Sequence, residues 1–204
     1  MTFDLLTALI VFSFVSSITP GPNNLMLLAS GTNFGFRRTL PHMFGVAIGF
    51  TIMVMLVGVG LIRLFDQFPT SYQILKIISV LYLIYLSWKI ATVAAPALEK
   101  RNKQSSPVAT PFNFIQATLF QWINPKAWAM ALTAITAYTP ASHPLPGVLM
   151  VALIFGAVNL PSITVWVLLG TQVRRFLSDP IKLRVFNIFA AMLLLSSLYP
   201  IIFS

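Results

Sequence analysis

The chain alternates long apolar runs with short polar connections, and the runs are too long for ordinary core helices. Six of them reach the roughly 20 residues a helix needs to cross a bilayer: Phe3 to Leu28, Leu40 to Leu64, Tyr72 to Val93, Asn113 to Tyr138, Pro146 to Val173 and Leu183 to Phe203. The predicted fold is an all-α integral membrane protein of six transmembrane helices, forming one domain over residues 1–204. The first run reads as retained and not as a cleaved signal, since Asp4 stands where a basic region belongs and no small-residue cleavage end follows. The fourth run is the weakest. Asn113, Gln116, Gln121, Asn124 and Lys126 crowd its first half, and read as an interfacial or re-entrant piece it leaves five spans.

Composition agrees with lipid as the solvent. The 204 residues are 57% hydrophobic and 8% charged, against roughly 45–50% and about 25% in soluble domains, and mean hydropathy is +0.87. The lipid bilayer is therefore the principal partner. A net charge of +9 would suggest nucleic acid in a soluble protein, but the basic residues cluster between apolar runs, where membrane topology accounts for them and no nucleic-acid partner is needed. Cysteine is absent, which removes disulfides, thiolate metal sites and thiol nucleophiles. His42 and His143 lack a second ligand at metal spacing and read as solvated. No metal, no cofactor and no catalytic constellation is indicated: there is no H-x-x-x-H, no intramembrane Asp pair and no Ser beside a base.

Lys and Arg set the orientation. Ten of them fall in or beside three connections (Arg37, Arg38; Lys89, Lys100, Arg101, Lys103; Arg174, Arg175, Lys182, Arg184), whereas Arg63 and Lys76 alone lie on the other side. The three connections are expected in the cytoplasm and both termini outside. The longest polar stretch, 94–111, then joins two three-helix halves, about 1–93 and 112–204, in opposite orientations, the arrangement of an inverted repeat.

The first helix of each half carries a proline break near its middle, Thr19-Pro20-Gly21-Pro22-Asn23 and Asn124-Pro125-Lys126. Each reads as a helix start inside the membrane, with Thr19 and Asn124 as N-caps and Pro20 and Pro125 in the first helical position. The prolines also leave the carbonyls of Ser16, Ile18 and Gln121 without their usual donors, so these must face protein, water or ligand. A lone proline is usually a simple kink. Paired breaks in inverted halves are instead where secondary transporters hold substrate.

Lys126 is the one Lys or Arg far from either interface. A charge at that depth costs roughly 2.5–3.5 kcal/mol on insertion scales and marks a cavity or path. It also lies in the first turn of its half-helix, where the helix dipole disfavours a cation. No Asp or Glu lies deep in any span, so a ligand carboxylate would meet its need; the competing role is a structural lysine bonded to carbonyls freed at the other break. Asn23, Asn24 and Asn124 offer amides to orient a zwitterion, or simply cap helices. Asn159 and Pro161 give the fifth run a weaker interruption on the cavity wall. Trp122, four residues before Lys126, can share its face or merely pack. Gly45 and Gly49 form a small-residue step fitted to close helix contact within one chain or between two copies, so a homo-oligomer is a candidate assembly. Trp88 with Lys89 reads as an interfacial anchor.

Ser17-Ile18-Thr19-Pro20-Gly21-Pro22-Asn23-Asn24, Asn124-Pro125-Lys126-Ala127 and Leu83-Ile84-Tyr85-Leu86-Ser87-Trp88-Lys89-Ile90 resemble the motifs of the lysine exporter and homoserine/threonine exporter (LysE/RhtB) family of bacterial amino-acid efflux proteins. The resemblance covers the whole chain. It implies export of an amino acid or close derivative across the inner membrane, usually driven by protons, and places the family's motif positions at Pro20, Gly21, Pro22, Asn23, Asn124, Pro125 and Lys126. The T-P-G-P-N-N form and the region of Asn159 are most similar to the cysteine and O-acetylserine exporter branch. Ser79-Val80 departs from the glycine-alanine frequent in relatives, which bears on how closely the third helix packs and on substrate. With no deep carboxylate to hold a side-chain cation, a neutral amino acid fits better than a basic one; homoserine, threonine, basic amino acids and a channel-like facilitator are the alternatives.

Overall fold

Proline, glycine and asparagine cut this apolar chain into helices, and every regular element among the described residues is helical. The computed structural model describes residues 1–61, 69–92, 110–140, 144–177 and 179–199. Arg63, Asp66, His143, Val93 at the end of the third run, residues 94–109 of the expected cytoplasmic loop, including Glu99, Lys100, Arg101 and Lys103, and the end of the sixth run lie outside them. The helices are α1 (Phe3–Ile18), α2 (Pro22–Phe34), α3 (Phe36–Leu56), α4 (Pro69–Ala91), α5 (Phe114–Phe120), α6 (Pro125–Tyr138), α7 (Pro144–Phe176) and α8 (Pro180–Ser196). A π-helical turn, Val57–Leu61, continues α3, and a 3₁₀ turn, Gln121–Ile123, joins α5 to the Asn124 break.

Among the described residues, the runs Phe36–Gly60, Gln73–Ala91 and Pro144–Phe176 are each long and apolar enough to cross a membrane. The α1–α2 pair, bent by 54° at its break, makes a fourth if counted as one span. At 33 residues, α7 is about 50 Å long, well beyond the roughly 30 Å of a hydrocarbon core.

Several ends differ from the expected ones for a common reason. The first run was expected to stop at Leu28, where polar residues begin, but α2 continues to Phe34 because those residues pair inside the bundle. Ser30 and Thr39 share a hydroxyl bond of 2.9 Å, Thr32 Oγ1 donates to the Gly170 carbonyl at 3.0 Å, and Asn33 and Asn187 exchange amide bonds of 2.8 and 3.1 Å. Gly35, at φ 81°, turns the chain straight into α3. That early start places His42 on the face of α3 that carries Gly45 and Gly49. The expectation of a solvated His42 is thereby corrected: it is 2% exposed, with its ring 5.3 Å from that of Phe112. Pro161 does not end α7, which runs through it.

The interior is polar without being charged. Ser13, Asn24, Thr32, Asn33, Gln121, Asn124, Asn159 and Asn187 are buried, and no Asp, Glu, Lys or Arg is fully buried among the described residues. Outward faces carry Ile77, Leu81, Ile115, Leu149 and Val185, the inversion expected when the solvent is lipid. Trp88 is 65% exposed, in keeping with an anchor.

Glycines set the closest contacts. A Cβ on Gly45 would meet the Phe114 carbonyl and Ala117, and one on Gly49 would lie 2.7 Å from Thr118 Cα, so α3 meets α5 backbone to backbone. Gly31 faces the Val167 carbonyl and Gly170 faces the Leu28 carbonyl in the same way, joining α2 to α7. Around these seams α7 packs on α1, α2 and α3, α3 also packs on α5, and α4 pairs with α8.

Gly170→Val should cost about 1–3 kcal/mol by forcing α7 from α2, read as a lower melting temperature in detergent, whereas exposed Val165→Ala should stay within about 0.5 kcal/mol. Asn187→Leu alone should cost about 1–3 kcal/mol by orphaning the Asn33 amide, and the double variant Asn33→Leu/Asn187→Leu should recover most of that loss. Equal melting temperatures for single and double variants would count against the amide pair.

Candidate functional site

Two X-Pro steps in a row build the first break. Each proline pushes the residue before it into extended backbone; Thr19 has φ −65° and ψ 146°, and Gly21 has φ −180° and ψ 177°. The helix therefore restarts at Pro22 with Gly21 as N-cap, and Thr19 caps the end of α1, its N–H bonding back to the Val15 carbonyl at 3.1 Å. This corrects the expected roles of Thr19 as N-cap and Pro20 as first helical residue. The second break is as read: the Asn124 side chain accepts from the Lys126 N–H at 3.1 Å and Pro125 opens α6. A capping box formed by Asn113 and Gln116 starts the short α5 before it.

Every carbonyl expected to be orphaned finds a donor within the protein. Ser16 accepts from Thr19 Oγ1 at 3.0 Å, Ile18 from Trp166 Nε1 at 3.0 Å, and Gln121 from the Asn124 N–H at 3.3 Å. Asn24 Nδ2 spans the first break, donating to the carbonyls of Ser17 at 2.8 Å and Thr19 at 2.7 Å. Lys126 then reaches across from the other half. Its Nζ donates to the Thr19 carbonyl at 2.7 Å, Thr19 Oγ1 at 2.9 Å and the Pro20 carbonyl at 3.2 Å. Gly21 makes room for that reach: a Cβ there would lie 2.6 Å from Lys126 Cδ and 3.2 Å from Nζ.

A second link joins the breaks. Asn23 and Gln121 exchange amide bonds of 2.8 and 3.2 Å, and Gln121, fully buried, also donates to the Ala117 carbonyl at 2.9 Å. Between these links lies a small, partly open cavity of about 20 Å³ with Lys126 in place. Gly21, Asn23, Asn24, Asn124, Lys126 and Asn159 line it, together with Ser16, Ser17, Phe50, Ala127, Met130 and Ile163.

Of the residues singled out from sequence, Thr19 and Pro20 form the rim that receives Lys126, and Pro22 and Pro125 open the two half-helices. Asn159 sits in the wall, with Nδ2 donating to Ser17 Oγ at 3.1 Å and Oδ1 left without a partner. Trp122 turns elsewhere: its ring lies 6.1 Å from that of Trp128 and its carbonyl accepts from Trp128 Nε1 at 2.8 Å. The side-chain roles of Ser17 and Gln121, and Trp166 altogether, escaped the sequence reading. Gln121 had a signal, as the residue whose i+4 donor is replaced by Pro125; Trp166 had none.

The lining is polar at the two breaks and apolar at Phe50, Ala127, Met130 and Ile163. Gly21 gives α2 no side-chain cap, so the positive end of that helix is left without a side-chain acceptor where Gly21, Asn23 and Asn24 line the cavity.

Comparison with known proteins identifies relatives by sequence. The pattern of LysE type translocators matches residues 14–197. Cysteine/O-acetylserine efflux proteins of Escherichia coli (strain K12), Escherichia coli O139:H28 (strain E24377A / ETEC) and Shigella sonnei (strain Ss046) are each 28% identical over 176 residues, 86% of this chain and 87% of theirs. No solved structure matches the chain. With the match running from before the first break into the last helix, the chain belongs to the LysE type translocator family.

Proposed function

We propose that this translocator exports a small neutral amino acid or close derivative, of the cysteine and O-acetylserine kind, from the cytoplasm outward across the bacterial inner membrane. It is a transporter and not an enzyme. The observation that carries the ligand class is the charge of the cavity: among the described residues Lys126 is its one charged lining group, and no Asp or Glu faces it. A zwitterion brings its own carboxylate to Lys126 and to the uncapped N-terminus of α2, where Asn23, Asn24 and Asn124 supply further polar contacts. Lysine or arginine would bring a second cation with no acid to hold it.

The working topology is six spans in two inverted halves, 1–93 and 112–204, with both termini outside and 94–111 in the cytoplasm. Packing supports an exchange of partners between halves: α3 lies against α5 as α7 lies against α1, and α4 pairs with α8. Alternating access then rocks the halves about the cavity between the breaks. Export is proton-linked in this reading, with Lys126 cycling between ammonium and amine as the cargo's carboxylate arrives and leaves.

Proteoliposomes loaded with O-acetyl-L-serine, L-cysteine, L-threonine or L-lysine test these points. Saturable efflux of the first two, accelerated by an imposed proton gradient, is expected, and Lys126→Met should lower its initial rate about tenfold or more, equivalent to about 1.4 kcal/mol or more. A preference for lysine refutes the ligand class. Unchanged gradient-driven efflux by Lys126→Met refutes its role in coupling, and unsaturable flux with open-pore conductance makes the chain a facilitator.

A further inference from the structure

Lys126 occupies a site built for an ammonium group. Three oxygens, the Thr19 carbonyl, Thr19 Oγ1 and the Pro20 carbonyl, converge on Nζ at 2.7, 2.9 and 3.2 Å, one for each N–H of a primary ammonium. They stand at the C-terminal end of α1, the end whose dipole favours a cation. Asn24 takes the Ser17 carbonyl and shares that of Thr19, and Trp166 takes the Ile18 carbonyl, so what remains for Lys126 is the second lone pair of the Thr19 carbonyl, the Thr19 hydroxyl oxygen and the Pro20 carbonyl. A second observation points to the same ligand chemistry. Asn159, 5% exposed and lining the same cavity, is held through its amide nitrogen while its Oδ1 acceptor has no partner.

The α-ammonium of an amino acid is the same chemical group as the tip of Lys126. We propose that the oxygen tripod of Thr19 and Pro20 is the ammonium site of the transported molecule, and that Lys126 fills it only when no cargo is bound. This deepens the exporter reading and rests on it for the identity of the cargo. Arrival of the cargo's ammonium displaces Lys126, which swings to the cargo's carboxylate, while Asn159 Oδ1 supplies a further acceptor. Between cycles the lysine acts as a resident plug that leaves no vacant cation site open to inorganic ions. The site selects a free primary ammonium; an N-acylated amino acid has too few N–H donors and no charge to match the helix end.

Two measurements test this independently of transport. Lys126→Ala empties the site, so excess n-propylammonium chloride should raise that variant's melting temperature in detergent by about 2–4 °C, with no rise for tetramethylammonium, which has no N–H donor, and none for the intact protein. Lys126→Met serves in its place if the alanine variant does not fold. Equal responses of variant and intact protein, or none in either, overturn the proposal. In the intact protein, acetylation of Lys126 by an amine-reactive ester, read by peptide mass spectrometry against Lys182, should rise several-fold with O-acetyl-L-serine and stay unchanged with N-acetyl-L-serine. An unchanged rate while O-acetyl-L-serine is transported overturns displacement. Propylammonium binding by Lys126→Ala, in a protein that transports none of the amino acids tested, supports the ammonium site and refutes the exporter reading.

Discussion

Interrupting a helix inside hydrocarbon strands backbone polar groups that water cannot reach, and the rest of this structure is arranged around meeting that demand. Each unsatisfied group costs several kcal/mol in a bilayer core, so the first break is tolerable only because side chains from three other helices serve it. Trp166 of α7 takes the Ile18 carbonyl, Asn24 of α2 takes those of Ser17 and Thr19, and Lys126 of α6 shares the Thr19 carbonyl and adds that of Pro20 together with the Thr19 hydroxyl. Two of the residues that make the break affordable, Asn24 and Lys126, also line the cavity. Stability and site are a single network here, and a change in one alters the other.

The second break is provisioned differently. Asn124 caps α6 itself, and a 3₁₀ turn absorbs the Gln121 carbonyl locally. The Lys126 side chain is therefore free to serve the other break, which explains how a cation tolerates the first turn of α6: its ammonium is hydrogen-bonded at the oxygen-rich end of α1 and not where its backbone sits. The amide exchange between Asn23 and Gln121 runs in parallel, so two polar links cross between the halves at the level of the cavity.

The proline motifs made both breaks legible from sequence, because proline's missing N–H and its effect on the preceding residue are local rules that tertiary context cannot cancel. The helix start at Pro22 was misplaced at Pro20 because two X-Pro steps compete, and only the later one leaves the chain free to coil. The stretch Ala29 to Phe34 looked like the end of a span. Its polarity is satisfied by partners 9 to 154 positions away, which no local window sees. His42 failed for the same reason, and so did Trp166, whose indole meets a carbonyl 148 positions earlier in the chain. Lys126 was singled out by its depth and its place in the second motif, and a bond to the carbonyls of the other break was one of two roles left open; which oxygens it reaches required the fold.

The length of α7 carries a mechanical consequence. It lies along both α1 and α2, held to the end of α1 through Asn159 and Trp166 and to α2 through the seam of Gly31 and Gly170, so it splints the 54° bend between them. A splint transmits any change of angle along its own length. The bend cannot open or close unless α7 flexes or slips, and Pro161, the one residue of its middle that cannot donate a backbone hydrogen bond, stands between Asn159 and Trp166 where that flexure is least costly. The joint of the first helix and the joint of its splint are therefore set side by side.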